Sequence, residues 1–97
     1  MDAELPPRFE LVMPDDSMRD RVKAGQAITF STTEQARPGD GVLVQDRNGH
    51  VYIRIYRQRR IDAWEAHPLH DAYQALDSER DGLRVLAVVV GVPARWG

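Results

Sequence analysis

The 97-residue chain predicts a compact, mainly-β domain, and three features of the sequence carry that expectation. Short apolar stretches alternate with turn residues roughly every 8–12 positions, the rhythm of an all-β domain. Asn48-Gly49 sits between two strand-like runs, a hairpin signal. Near the C-terminus, Leu83 to Val92 is rich in valine, whose branched side chain suits a buried strand. A chain of this length forms one core, so residues 1–97 are expected to be a single domain.

Taken in order, residues 1–7 end in Pro6-Pro7 and read as an extended lead-in, because proline disfavours helix in the residue before it. Arg8 to Met13 alternates loosely as a strand, and Pro14 stops it. Asp15 or Asp16 can cap a helix, so Ser17 to Ala24 is expected to make two turns ending at Gly25. Ala27 to Thr32 is a second strand, followed by a turn at Pro38-Gly39-Asp40-Gly41. Val42 to Gln45 and His50 to Arg57 form the hairpin, with Asn48-Gly49 in a type I′ turn. On its return strand Val51, Ile53 and Ile55 face the core, while Tyr52, Arg54 and Tyr56 form a polar-aromatic surface. Asp62 to His67 is another short strand, Pro68 to Tyr73 a loop or single turn, Asp77 to Gly82 polar, and Leu83 to Val92 the closing strand.

Composition excludes several functions. Fifteen acidic against 13 basic residues leave a net charge of −2, which gives no whole-chain attraction to nucleic acid or acidic lipid. There is no cysteine, hence no disulfide, thiolate nucleophile or cysteine-zinc site. The longest apolar run, around Val85 to Val90, is far short of the roughly 20 residues a membrane helix needs. Asp2 and Glu4 stand where a signal peptide would be basic and then apolar. A cytoplasmic protein without metal or other cofactor is expected.

The residues that can carry chemistry are few. Ser17, after a strand and at a helix start, has the layout of a nucleophile: a serine hydroxyl needs a neighbouring base, and helix N–H groups can hold a developing oxyanion. Asp-Ser is equally an ordinary helix cap. Arg54, 37 positions later (54 − 17), is a fixed cation or an exposed strand arginine. Lys23, the only lysine, lies more than one turn from Ser17, too far along a helix to serve it readily. His67 and His70 are spaced His-x-x-His, but Pro68 intervenes and no third ligand accompanies them, which favours two surface histidines over a metal site. Arg57, Arg59 and Arg60 read as a solvated face at a turn rather than a phosphate site. Tyr52, Tyr56, Trp64 and Trp96 are split between core and a surface aromatic patch.

From Phe9 onward the chain resembles the LexA-like S24 peptidase family, the C-terminal domains of SOS and phage repressors. Leu11 to Met13 followed by Asp15-Asp16-Ser17-Met18 is similar to the family's strand and Gly-Asp-Ser-Met, and Ala24-Gly25-Gln26 to its Gly-Asp. Arg37-Pro38-Gly39-Asp40-Gly41-Val42-Leu43-Val44 resembles the Pro-Gly-Asp that precedes its hairpin. Gly49-His50-Val51-Tyr52-Ile53-Arg54-Ile55-Tyr56 resembles the return strand Gly-x-Val-x-Val-Lys-Arg-Leu. Ala66 to Tyr73 and Leu83 to Val92 follow in the family's order.

The resemblance implies a LexA-like fold, Ser17 at the nucleophile position and Arg54 at the position of the general-base lysine. A guanidinium keeps its proton at any ordinary pH, so it cannot act as that base. Asp15 stands for the family's glycine, Gln26 for its aspartate and Asp20 for a frequent proline, and no Ala-Gly or Cys-Gly cleavage site precedes the first strand. The expectation is a phage- or prophage-repressor-like domain without protease activity, a homodimer in transcriptional regulation that contacts a repressor or other regulatory protein but not DNA itself. The alternative is an active serine peptidase that cleaves a repressor-type partner in trans through Ser17.

Overall fold

The computed structural model describes residues 5–15, 17–18, 22–70 and 73–91. Seven strands occur among them: β1 (Arg8–Val12), β2 (Ala27–Ser31), β3 (Gly41–Gln45), β4 (Val51–Arg60), β5 (Ala63–His67), β6 (Leu76–Asp77) and β7 (Arg84–Gly91). They form one antiparallel sheet in the order β1-β2-β7-β3-β4-β5-β6. The mainly-β expectation holds. Every predicted strand is present within a few residues of its expected bounds, and only the short β6 is unanticipated, its second residue Asp77 opening the stretch read as polar.

Central position explains why β3 is apolar on both sides. Gly41 to Val44 are all buried, because β3 pairs with β7 on one edge and β4 on the other. Alternation then sends Leu43 to one cluster with Ile28, Phe30, Ile53, Ile55 and Ala87. Val42 and Val44 join a second cluster with Ala66, Leu83 and Val88. Register shifts between Thr29 and Phe30, between Leu43 and Val44, and between Gln58 and Arg60 are the places where such a sheet bends and twists.

Two local expectations are corrected. The helix expected over Ser17 to Ala24 is not one of them, because residues 19–21 of it lie outside the described residues; the described ones carry no helix. Met13 N donates to Gln26 O and Gly25 N to Met13 O, at 2.8 and 2.9 Å, which ties the two ends of this stretch together. Val22 N donates to Met18 O, an i→i+4 bond. Met18 and Val22 are fully buried, so apolar burial anchors the described part of the stretch.

The β3–β4 turn is not type I′. Gly49 alone has positive φ (89°), and no non-glycine residue among those described does. Gly49 N donates to Asp46 O, Asp46 N to His50 O, and the Asp46 carboxylate accepts from the amides of Asn48 and His50. This is a type I turn closed by a glycine bulge, and the Asp46 side chain supplies the bonds that a two-residue turn would not need. By contrast the Pro38-Gly39 turn matches its sequence: Asp40 N bonds Arg37 O, with Gly39 at φ 94°, as a type II turn demands.

The second correction concerns the second face of β4 at its inner half. There Arg54 is only 4% exposed and Tyr52 and Tyr56 are half-buried, so this part of the face is not a solvent surface.

Candidate functional site

Ser17 and Arg54 are brought together from 37 residues apart. Arg54 Nη1 donates to Ser17 Oγ at 2.8 Å and to the Ile53 carbonyl at 3.0 Å. Ser17 is fully buried. Its hydroxyl donates to Asp15 Oδ1 at 2.6 Å, and its amide donates to the same oxygen at 3.0 Å. The serine therefore bridges a carboxylate and a guanidinium, with its proton directed to one and its lone pair occupied by the other.

Each side chain is positioned by a separate element. Met13 ends the β1 run and pairs with Gln26, which turns Asp15 and Ser17 back over the sheet. Arg54 is carried by β4 opposite Val42 of β3. From the loop after β5, Leu69 N donates to Ser17 O at 2.6 Å, and Tyr73 places its ring 5.6 Å from the guanidinium carbon. The Tyr52 ring lies 5.3 Å from the same carbon. Its hydroxyl donates to Asp46 Oδ2 at 3.0 Å, so the hairpin turn anchors one wall of the arginine's site.

Burial of Arg54 lowers its pKa from the usual arginine value, and the nearby Asp15, Tyr52 and Tyr73 push it back up. It remains a cation at neutral pH. Two ring faces and two hydrogen bonds replace part of the water it has lost, while Nε has no hydrogen-bond partner among the described residues. Such a group can hold Ser17 Oγ and stabilise negative charge on it, but it cannot accept the serine's proton.

The remaining candidates separate cleanly. Lys23 is exposed whereas Ser17 is buried. His67 Nε2 contacts Glu65 Oε1 at 2.6 Å, and His70 packs edge-on against Tyr73. Among the described residues no group of three or more potential ligands could hold a metal. Arg57, Arg59 and Arg60 occupy the exposed outer half of β4 rather than the turn itself. Arg59 Nη1 meets Glu65 Oε2 at 3.0 Å and Asp77 Oδ2 at 3.1 Å, and Arg60 lies 3.8 Å from Glu79. Tyr56 and Trp64 stack at 5.0 Å, half-buried against the second core cluster; Trp96 lies outside the described residues.

Asp15 and Tyr73 are the partners that residue-by-residue reading missed. Asp15 was legible only as a cap, although an Asp two residues before a serine is an Asx-turn signal. Nothing local in the sequence marks Tyr73, whose role depends on the loop after β5 folding back.

An antiparallel, all-strand domain with a serine joined to a cation on a hairpin's return strand defines the class of protein. A protein-family model described as Peptidase S24-like matches residues 5–90, and the chain belongs to that family. No curated protein sequence matches the chain. Among the described residues no helix is long and apolar enough to cross a membrane.

Proposed function

We propose that this chain is a repressor-like S24 domain that has exchanged proteolysis for a structural role and works by self-association in transcriptional regulation. The observation that carries this reading is the 2.8 Å bond from Arg54 Nη1 to Ser17 Oγ. At the position where the family's chemistry needs a base that can lose a proton, this chain holds a group that only donates. Ser17 is also fully buried, so no scissile carbonyl reaches its oxygen in this conformation. Incubation with an S24-type repressor substrate, from neutral to alkaline pH, is expected to yield no cleavage. Cleavage that vanishes in Ser17→Ala would overturn the proposal.

The self-association surface is assigned to the β1 edge, with β7 two strands in, beyond β2. Leu11 and Val12 on β1 and Val90 on β7 are exposed apolar residues, and β1 is a sheet edge with unpaired backbone groups. Sedimentation at high micromolar concentration is expected to show a dimer that Val12→Lys weakens. A monomer under those conditions removes this part of the proposal.

One observation favours the alternative of an active peptidase acting in trans. The 2.6 Å bond from Ser17 Oγ to Asp15 Oδ1 offers a carboxylate as proton acceptor, with Arg54 left to stabilise the oxyanion. On that reading Asp15→Asn abolishes cleavage, and Arg54→Lys keeps or raises it.

A further inference from the structure

The outer edge of β1 carries a charge pattern that complements itself when the strand is reversed. Pairing with β2 fixes which of its backbone groups face outward. Pro7 O accepts from Thr32 N at 3.0 Å and Met13 N donates to Gln26 O at 2.8 Å, in the same register that sets Phe9 against Phe30 and Leu11 against Ile28. Hydrogen-bonded pairs alternate along an antiparallel ladder, so Pro7, Phe9, Leu11 and Met13 turn their backbone polar groups toward β2. The N–H and C=O groups of Arg8, Glu10 and Val12 therefore point away from the sheet, and no backbone group among the described residues pairs with them.

The side chains on this edge are equally available. Arg8, Glu10, Leu11 and Val12 are exposed, and Phe9 is half-buried against Phe30. Neither Arg8 nor Glu10 enters an ion pair among the described residues. Glu10 Oε2 accepts only a long contact from Thr29 Oγ1, at 3.5 Å.

A second β1 laid antiparallel on this edge must match outward-facing groups to outward-facing groups. That limits a two-fold pairing to registers centred on one residue between Arg8 and Val12. Centring on Arg8 or on Glu10 sets like charges directly opposite each other, which is destabilising. Centring on Leu11 or Val12 leaves Arg8 without an acid across the strands. Centring on Phe9 alone sets Arg8 of each copy opposite Glu10 of the other.

We infer that β1 pairs antiparallel with β1 of a second copy of this chain in the register centred on Phe9, making one sheet continuous across both copies. Each copy's Arg8 exchanges backbone hydrogen bonds with the other's Glu10, and their side chains form an ion pair across the strands. Phe9 meets its own counterpart at the two-fold axis. This rests on the self-association reading above and names its partner strand and register.

Sedimentation equilibrium of the full chain tests it. Arg8→Glu and Glu10→Arg are each expected to weaken the dimer at least about tenfold, because each turns attractive pairs into repulsive ones. Both changes in one chain are expected to restore it, with the circular dichroism spectrum unchanged throughout. Leu11→Cys, in a chain otherwise free of cysteine, is expected to form no disulfide on oxidation. In this register its two copies lie about 13 Å apart, four residues at about 3.3 Å each, beyond the reach of the bond. A wild-type dimer that ignores both charge reversals, a double exchange that fails to restore it, or a Leu11→Cys disulfide would overturn the register and leave self-association standing. A wild-type monomer at high micromolar concentration would overturn both.

Discussion

Strand β4 carries arginines in two opposite situations a few residues apart. Arg54, in its inner half, is 4% exposed and is held by Ser17, a backbone carbonyl and two tyrosine rings. Arg57, Arg59 and Arg60, in its outer half, are exposed, and Arg59 and Arg60 pair with acids across the sheet or in the β6–β7 turn. Residue type and strand are the same, so the cover differs: the Ser17 loop and Tyr73 close over one half, and nothing among the described residues closes over the other. A buried cation loses its water and depends on the groups that replace it, whereas an exposed one is screened and gains little from its partners. The first arrangement holds a structure together. The second tunes a surface.

The largest effect that tests this contrast is Arg54→Ala. It removes the cation and leaves a cavity among Ser17, Tyr52 and Tyr73, and urea unfolding is expected to show a loss of about 3 kcal/mol. Arg54→Met fills the space without a charge to desolvate and should lose clearly less; if the two variants are equal, the site is held by charge rather than by packing. Ser17→Ala comes next. It leaves Arg54 Nη1 without its hydroxyl acceptor inside the core, at a cost of about 1–3 kcal/mol, which the same unfolding measurement reads.

Acid sensitivity belongs to carboxylates at the β3–β4 and β6–β7 turns rather than to the buried cation itself. Asp77 is held below its ordinary pKa of 3.8 by the amides of Arg80 and Glu79, and its neighbour Asp81 is lowered by the Arg80 side chain and the Asp77 amide. Asp46 is lowered too: burial pushes it up, but its bonds from His50, Tyr52 and Asn48 outweigh that. A carboxylate with a depressed folded-state pKa contributes stability that is full above its unfolded value and is lost as pH falls through the folded one. The urea midpoint is therefore expected to hold down to about pH 4 and to fall below it. Asp77→Asn should flatten that fall, whereas a midpoint that drops above pH 5 would point to other groups.

Arg59→Ala is the smallest expected effect. Its two ion pairs are solvent-exposed, so the loss should be far below that of Ser17→Ala and should shrink further in high salt. A salt-resistant loss comparable to that of Ser17→Ala would break the contrast between the two halves of β4.

Local signals carried much of the fold. The Pro38-Gly39 turn, the two strands of the hairpin and the valine-rich β7 are legible because each depends on alternation or on a residue with restricted dihedral angles. Around Ser17 the local signal is less complete. Asp15 reads locally as a helix cap, whereas its carboxylate accepts from the Ser17 amide and hydroxyl, and Met18 and Val22 are drawn into the core. That burial is a long-range consequence of packing that no local cap signal carries. The turn at Asn48-Gly49 is where local reading failed: Asp46 offered side-chain acceptors that stabilise a longer loop.

The sequence by itself determined the mainly-β class, the S24 resemblance and the presence of an arginine where that family keeps its lysine. These follow from residue identity, periodicity and order along the chain. Only the tertiary structure decided that Arg54 is buried and bonded to Ser17 rather than solvated. The alternation of β4 specifies which face Arg54 occupies, but whether that face meets water depends on segments distant in sequence: the Asp15–Ser17 turn and the Leu69 and Tyr73 loop. Desolvation is a property of the assembled neighbourhood, and no single strand encodes it.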